Sequence, residues 1–160
     1  MLSRLFPRSL TNAYEGSWAA LCLFVPVLVV KTLMGANFSG FNPLVDVAEI
    51  LRTVDGVPLD TFAPDAAQSV LTSAAAWGVA LFTLCLWAWI VVIRYRAGLP
   101  LAILMLLVEQ IGRTGAGSIR SIAAFADGTT PTLGAMINLT MSGLLIVAFA
   151  LSLLRIHRAA

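Results

Sequence analysis

Residues 66–93, AAQSVLTSAAAWGVALFTLCLWAWIVVI, form a stretch of 28 residues without a single Asp, Glu, Lys or Arg. An α-helix rises about 1.5 Å per residue, and a hydrocarbon core of about 30 Å needs roughly 20 apolar residues to cross it. This run is therefore read as a transmembrane helix. Working outward, three more runs meet the same requirement, near Ser17 to Met34, Leu99 to Ala116 or somewhat further, and Leu133 to Leu154. The first run is longer than the apolar core of a signal peptide and reads as a retained helix.

Composition agrees with this reading. The chain has 160 residues, of which 59% are hydrophobic and 11% charged. A soluble domain carries about 25% charged residues. The mean hydropathy is +0.93. So short a chain leaves no room for a second domain once four spans are subtracted. The expected fold is all-α: a polytopic membrane protein of one domain, residues 1–160, with four transmembrane helices in an up-down-up-down bundle.

Orientation follows from the cations, because Lys and Arg in short loops are held on the cytoplasmic side. Arg4 and Arg8 precede the first span, Arg94 and Arg96 sit in the tight turn between the second and third, and Arg155 and Arg158 follow the fourth. Asp46, Glu49, Asp55, Asp60, Asp65 and Asp127 fall on the other side, where Arg52 and Arg120 are the clear loop cations. Both termini are expected in the cytoplasm, most simply of a bacterial inner membrane. Trp18, Trp87, Trp89 and Tyr95 fall near the same cytoplasmic interface, where amphipathic rings favour the headgroup level. A re-entrant third segment, leaving three spans, is the alternative topology, and the basic C-terminus argues against it.

Two amphipathic pieces flank the spans. Leu2, Leu5, Phe6 and Leu10 around Arg4 and Arg8 suit an interfacial anchor. In the first exterior loop, Asn42 as N-cap, Pro43 at the first helical position and early acids predict a short helix near 43–54, with Leu44, Val47, Leu51 and Val54 on its apolar stripe.

The third span carries the chemistry. After the apolar run Leu99 to Val108 come Glu109, Gln110 and Arg113. A charge at mid-membrane costs roughly 2.5–3.5 kcal/mol on insertion scales. Glu109 and Arg113 are spaced i, i+4 with the acid first, the favoured order on one helical face. That face, Ala102, Met105, Glu109, Arg113, Ala116 and Arg120, is expected to point into the bundle. Counting helical rise places Glu109 about 15 Å in from the cytoplasmic end and Arg113 about 21 Å in. Lys31 in the first span reaches the depth of Arg113, and Asn138 enters about 8 Å from the other side. Thr72 and Ser73 of the second span sit at a similar level. Lys31, Glu109, Gln110, Arg113 and Asn138, with Thr72 or Ser73, are therefore predicted to form one polar cluster in the outward half of the bundle.

Two readings of that cluster compete. In one, its members satisfy one another and fix helix register while Lys31 snorkels to the interface. In the other, surplus positive charge and the amides hold an anionic, lipidic or quinone-like ligand, since intramembrane ionisable groups are functional candidates. Gly112, Gly115 and Gly117 would permit close backbone approach, and Pro26 a kink in the first span.

Several classes are disfavoured. The cations are scattered, so nucleic acid is not an expected partner. One histidine, His157, and two cysteines, Cys22 and Cys85, offer no metal ligand set, and both cysteines read as small buried hydrophobes. There is no phosphate-cradling loop, zinc-protease helix, Gly-x-Ser-x-Gly elbow or Cys-x-x-Cys. The tripeptides at Asn37 and Asn138 match the glycosylation pattern, one within a span and the other as an isolated short match, and neither is counted. Enzymatic chemistry would have to rest on Glu109 and Arg113, a thin basis, and no cofactor is identifiable. The expected role is ligand binding in the outward cavity. The alternatives are an accessory subunit of a larger membrane complex and a small proton-coupled carrier working through Glu109. Membrane lipids, a larger complex or further copies of the chain are the expected partners.

Overall fold

The computed structural model describes Leu5, Thr11, Asn12, Tyr14 and residues 16–119 and 132–154. The N-terminal anchor apart from Leu5, with Arg4 and Arg8, the loop residues Arg120 and Asp127, the C-terminal Arg155, His157 and Arg158, and the side chain of Ala116 lie outside that description. The regular secondary structure of the described residues is all helical, with no strand among them. In chain order the helices are α1 (Trp18–Phe38), α2 (Val47–Thr53), α3 (Pro64–Arg94), α4 (Leu99–Ile119) and α5 (Leu133–Leu153). Four of these, all but α2, are long and apolar enough to cross a membrane.

Local chemistry sets the ends. Ser17 caps α1 by accepting from the Ala19 amide at 3.2 Å, and the helix runs on through Pro26. It stops where Ser39 donates its amide back to the Gly35 carbonyl and Gly40 turns left-handed at φ +78°, a conformation that glycine adopts without Cβ strain. Pro64 opens α3 from its first turn, where its missing N–H costs nothing. A single 3₁₀ turn, Arg96–Gly98, joins α3 to α4, and the Arg96 side chain donates to the Val92 carbonyl at 3.1 Å.

The core draws on all four long helices. Phe24 and Leu28 of α1, Leu81, Cys85 and Ala88 of α3, Ala102, Ile103 and Leu106 of α4, and Leu145 and Ala148 of α5 are buried together. Close approach in this bundle occurs at Gly35 and Gly78. A Cβ on Gly35 would lie 2.8 Å from the Phe82 amide nitrogen, and one on Gly78 would strike the backbone of Phe38 and Ser39. Gly112 and Gly115, expected to serve this purpose, have open space where a Cβ would be, and α4 approaches its neighbours through larger side chains.

The loop helix differs from its expected bounds. Its cap is Asp46, whose carboxylate accepts from the Ala48 amide at 2.8 Å. Asn42 instead accepts from the Leu44 amide at 3.1 Å, which makes Asn42 and Pro43 a turn outside the helix. Leu44 is therefore off the apolar stripe and 92% exposed, whereas Leu51 is buried with Phe38 and Leu59 in a second small cluster over the ends of α1 and α3. Arg52 fastens the segment by pairing with Asp60 at 2.9 Å and Glu49 at 3.3 Å. The Gly134 amide donates to the Val54 carbonyl at 3.0 Å, tying this segment to the start of α5.

Two further expectations are corrected by packing. Cys85 is buried as expected, but Cys22 is exposed, on a face of α1 that turns away from the other helices. Trp18, Trp87 and Tyr95 are exposed rings, whereas Trp89 points inward and donates to Thr32 Oγ1 at 3.0 Å, so its indole N–H is met inside the bundle.

Candidate functional site

One turn beyond the apolar core, the same four helices change character. Lys31 follows Leu28 on α1, Gln110 follows Leu106 on α4, Asn138 precedes Met141 on α5, and Trp77 precedes Leu81 on α3. Each polar side chain inherits the inward direction of the buried apolar residue three or four positions away, because i, i+3 and i, i+4 positions share a face.

Lys31 is the centre. Its ammonium is 1% exposed and donates to Glu109 Oε2 at 2.6 Å and to Gln110 Oε1 at 2.7 Å, short distances typical of charge-assisted bonds. Lys31 does not snorkel. Glu109 Oε1 accepts from the Trp77 indole N–H at 3.1 Å and lies 3.4 Å from Arg113 Nε. Gln110 is fully buried, and its amide nitrogen donates to the Asn138 carbonyl at 3.2 Å and to Asn138 Oδ1 at 3.3 Å. Arg113 Nη2 donates to Asn138 Oδ1 at 2.6 Å and to Gln110 Oε1 at 3.2 Å.

Five of the seven residues expected from the sequence thus meet in one network. Thr72 and Ser73 do not join it. Both are exposed, and their hydroxyls donate back to the carbonyls of Gln68 and Ser69 on their own helix at 2.8 Å. Thr72 lines a separate groove of about 410 Å³ beside Asp46 and Gln68. The inward face of α4 is also rotated from its expected centre. Leu99, Ala102, Ile103, Leu106, Leu107 and Gln110 are among its buried residues, and Met105 is 45% exposed. Glu109 and Arg113 stand at the edge of that face and reach inward.

Trp77 is the member that sequence reading missed. An indole at mid-span, away from the interfacial belts where Trp collects, needs a partner for its N–H, and that was the available signal. Its ring stacks edge-on against Phe38 at 5.0 Å and carries the Arg113 guanidinium over its face at 4.9 Å. This cation–π contact fixes the guanidinium against the α3 indole.

The network therefore has two unlike ends. At the inner end, Lys31, Glu109 and Gln110 satisfy one another. At the outer end, Arg113, Asn138, Asn37 and the Trp77 ring line a cavity of about 260 Å³. Val30, Met34, Phe38, Ile50, Val54 and Ile137 give it apolar walls. Arg113 Nε is buried and faces Glu109 Oε1 at 3.4 Å, making no hydrogen bond among the described residues. Asp55, read from sequence as a turn residue, is exposed at the rim of this cavity. Partial burial pushes its carboxyl above the ordinary value of 3.8, and the Arg113 charge partly opposes that rise.

Among the described residues there is no group of His, Cys, Asp and Glu able to hold a metal ion. Comparison with family models, with curated proteins and with solved structures finds no match to this chain. The site's own geometry carries the functional argument.

Proposed function

We propose that this chain is a four-span membrane protein, up-down-up-down with both termini in the cytoplasm of a bacterial inner membrane, whose outward-half cavity binds a small amphiphile by its polar head. The α2 segment then covers the outward end of the bundle. Basic residues at the turn between α3 and α4, and acidic ones around α2, support this orientation. A reporter fused after Ala160 tests it. Cytoplasmic-type activity agrees, and periplasmic-type activity refutes the topology.

The observation that carries the binding reading is the outer end of the network. The Arg113 guanidinium and two carboxamides, Asn37 and Asn138, line a cavity whose other walls are mostly apolar. Ligand sites are commonly apolar concavities with a few convergent polar groups, and this one is slightly smaller than the usual range of about 300–1,000 Å³. It therefore suits a head group or a single ring whose tail extends outside. Val30 and Ile137 line the cavity and are exposed on the apolar surface, so a tail would leave between α1 and α5 into lipid. Arg113 and Asn138 supply donors for anionic or carbonyl oxygen.

Mutual satisfaction at the inner end favours binding over a carrier that works through Glu109, since both carboxylate oxygens are engaged. Native mass spectrometry of the protein released from nanodiscs containing phosphatidylglycerol tests the reading. Retained lipid that Arg113→Gln abolishes supports it. Equal retention by both proteins, or none by either, refutes it.

A further inference from the structure

Arg113 and Asp55 are the two charged residues among those lining the cavity, and they come from different parts of the chain. Arg113 is held on α4 by Asn138, Gln110 and the Trp77 ring. Asp55 is held at the rim by the α2 segment. The Val54 carbonyl accepts from the Gly134 amide, and the Asp55 carboxylate lies against Gly134 so closely that a Cβ there would collide with it. Each charge is thus placed by its own scaffold. Among the described residues the two do not form an ion pair and no hydrogen bond engages the Asp55 carboxylate, although Arg113 is near enough to influence its charge.

A cation and an anion that share one small cavity without closing on each other present complementary ends to a guest. A purely anionic head would gain from Arg113 and be repelled by Asp55. A head bearing both signs gains at both, provided its anionic group enters first and its ammonium remains at the rim. We propose that the cavity takes a zwitterionic head, with its phosphate or carboxylate oxygens on Arg113 and Asn138 and its primary ammonium on Asp55. This rests on the binding reading above and narrows its ligand class to aminophospholipids or a free zwitterion of the same head chemistry. Desolvation of the unpaired Asp55 carboxyl, which raises its pKa, is the condition that an incoming ammonium relieves.

The test uses the full chain in nanodiscs of equal phosphatidylethanolamine and phosphatidylglycerol, with lipid retained on release read by native mass spectrometry. Phosphatidylethanolamine is expected to exceed phosphatidylglycerol by about tenfold, the scale of one charge-assisted hydrogen bond. Asp55→Asn, in a linker outside the bundle, should erase that preference and leave phosphatidylglycerol bound. Arg113→Lys keeps the charge and should keep the preference with weaker retention. Displacement of the lipid by free phosphoethanolamine would assign the same chemistry to a soluble ligand. Equal retention of the two lipids by wild type, or a preference unchanged in Asp55→Asn, overturns the zwitterion assignment and leaves the anion reading standing. Failure of wild type and Arg113→Gln alike to retain any lipid overturns both.

Discussion

Glu109→Gln is the perturbation that probes the network most directly. The replacement is nearly isosteric, but it raises the cluster's formal charge from one net positive to two and turns one acceptor oxygen into an NH₂ donor. That donor must face either the Lys31 ammonium, now 2.6 Å from Oε2, or the Trp77 N–H, 3.1 Å from Oε1. Removing one partner of a buried ion pair costs about 3–5 kcal/mol in soluble proteins. Interhelical hydrogen bonds in membranes average only about 0.6 kcal/mol, with a maximum near 1.7. Lys31 keeps its bond to Gln110, so the loss is incomplete. We expect a destabilisation of roughly 2–4 kcal/mol, between the two limits. The companion Lys31→Met leaves Glu109 near Arg113 and Trp77 and should cost somewhat less. The double variant should be more stable than the sum of the singles by about 2 kcal/mol, because neither partner is then left alone. Reversible unfolding in mixed detergent micelles, followed by circular dichroism, measures all four corners of the cycle. If the two single effects add to within about 0.5 kcal/mol, the pair is not coupled and the cluster does not hold the helices together.

Gly35→Ala should destabilise the bundle by about 1–3 kcal/mol, since its methyl meets Phe82 backbone at 2.8 Å, while Gly112→Ala should be neutral or stabilise by up to about 1 kcal/mol; thermal unfolding of the two variants compares them directly. Asp55 has a raised folded pKa, so it binds a proton more tightly folded than unfolded. Its contribution to stability grows as pH falls through the raised value and levels off below the ordinary 3.8. Asp55→Asn should remove that rise from a plot of unfolding midpoint against pH, and an unchanged slope would show that Asp55 is not desolvated. Trp77→Phe keeps the ring under Arg113 but deletes the donor to Glu109, and should cost about 1–2 kcal/mol in the same unfolding assay.

How far the site was legible depends on what each residue asked of the sequence. Lys31, Glu109, Gln110, Arg113 and Asn138 stand out because each is expensive in hydrocarbon, and helical rise counted from the span ends puts them at one level. Thr72 and Ser73 share that level too, but a hydroxyl satisfies itself on the carbonyl one turn back, so its rotation about the helix axis carries no penalty. Counting residues yields depth without azimuth. Met105 failed for the same reason, because the i, i+4 face through Glu109 is not the face that α4 buries.

By itself, then, the sequence determined four apolar helices and the obligation of a few charged side chains to leave lipid, since both follow from transfer free energies that each segment carries alone. Tertiary structure alone decided that Trp77 completes the carboxylate's shell, that Gly35 and Gly78 rather than Gly112 are the close contacts, and that Asp55 comes over the start of α5 to face Arg113. These depend on the rotation of each helix and the path of a loop, which are set by how neighbouring surfaces interlock. No local stretch of residues contains that information.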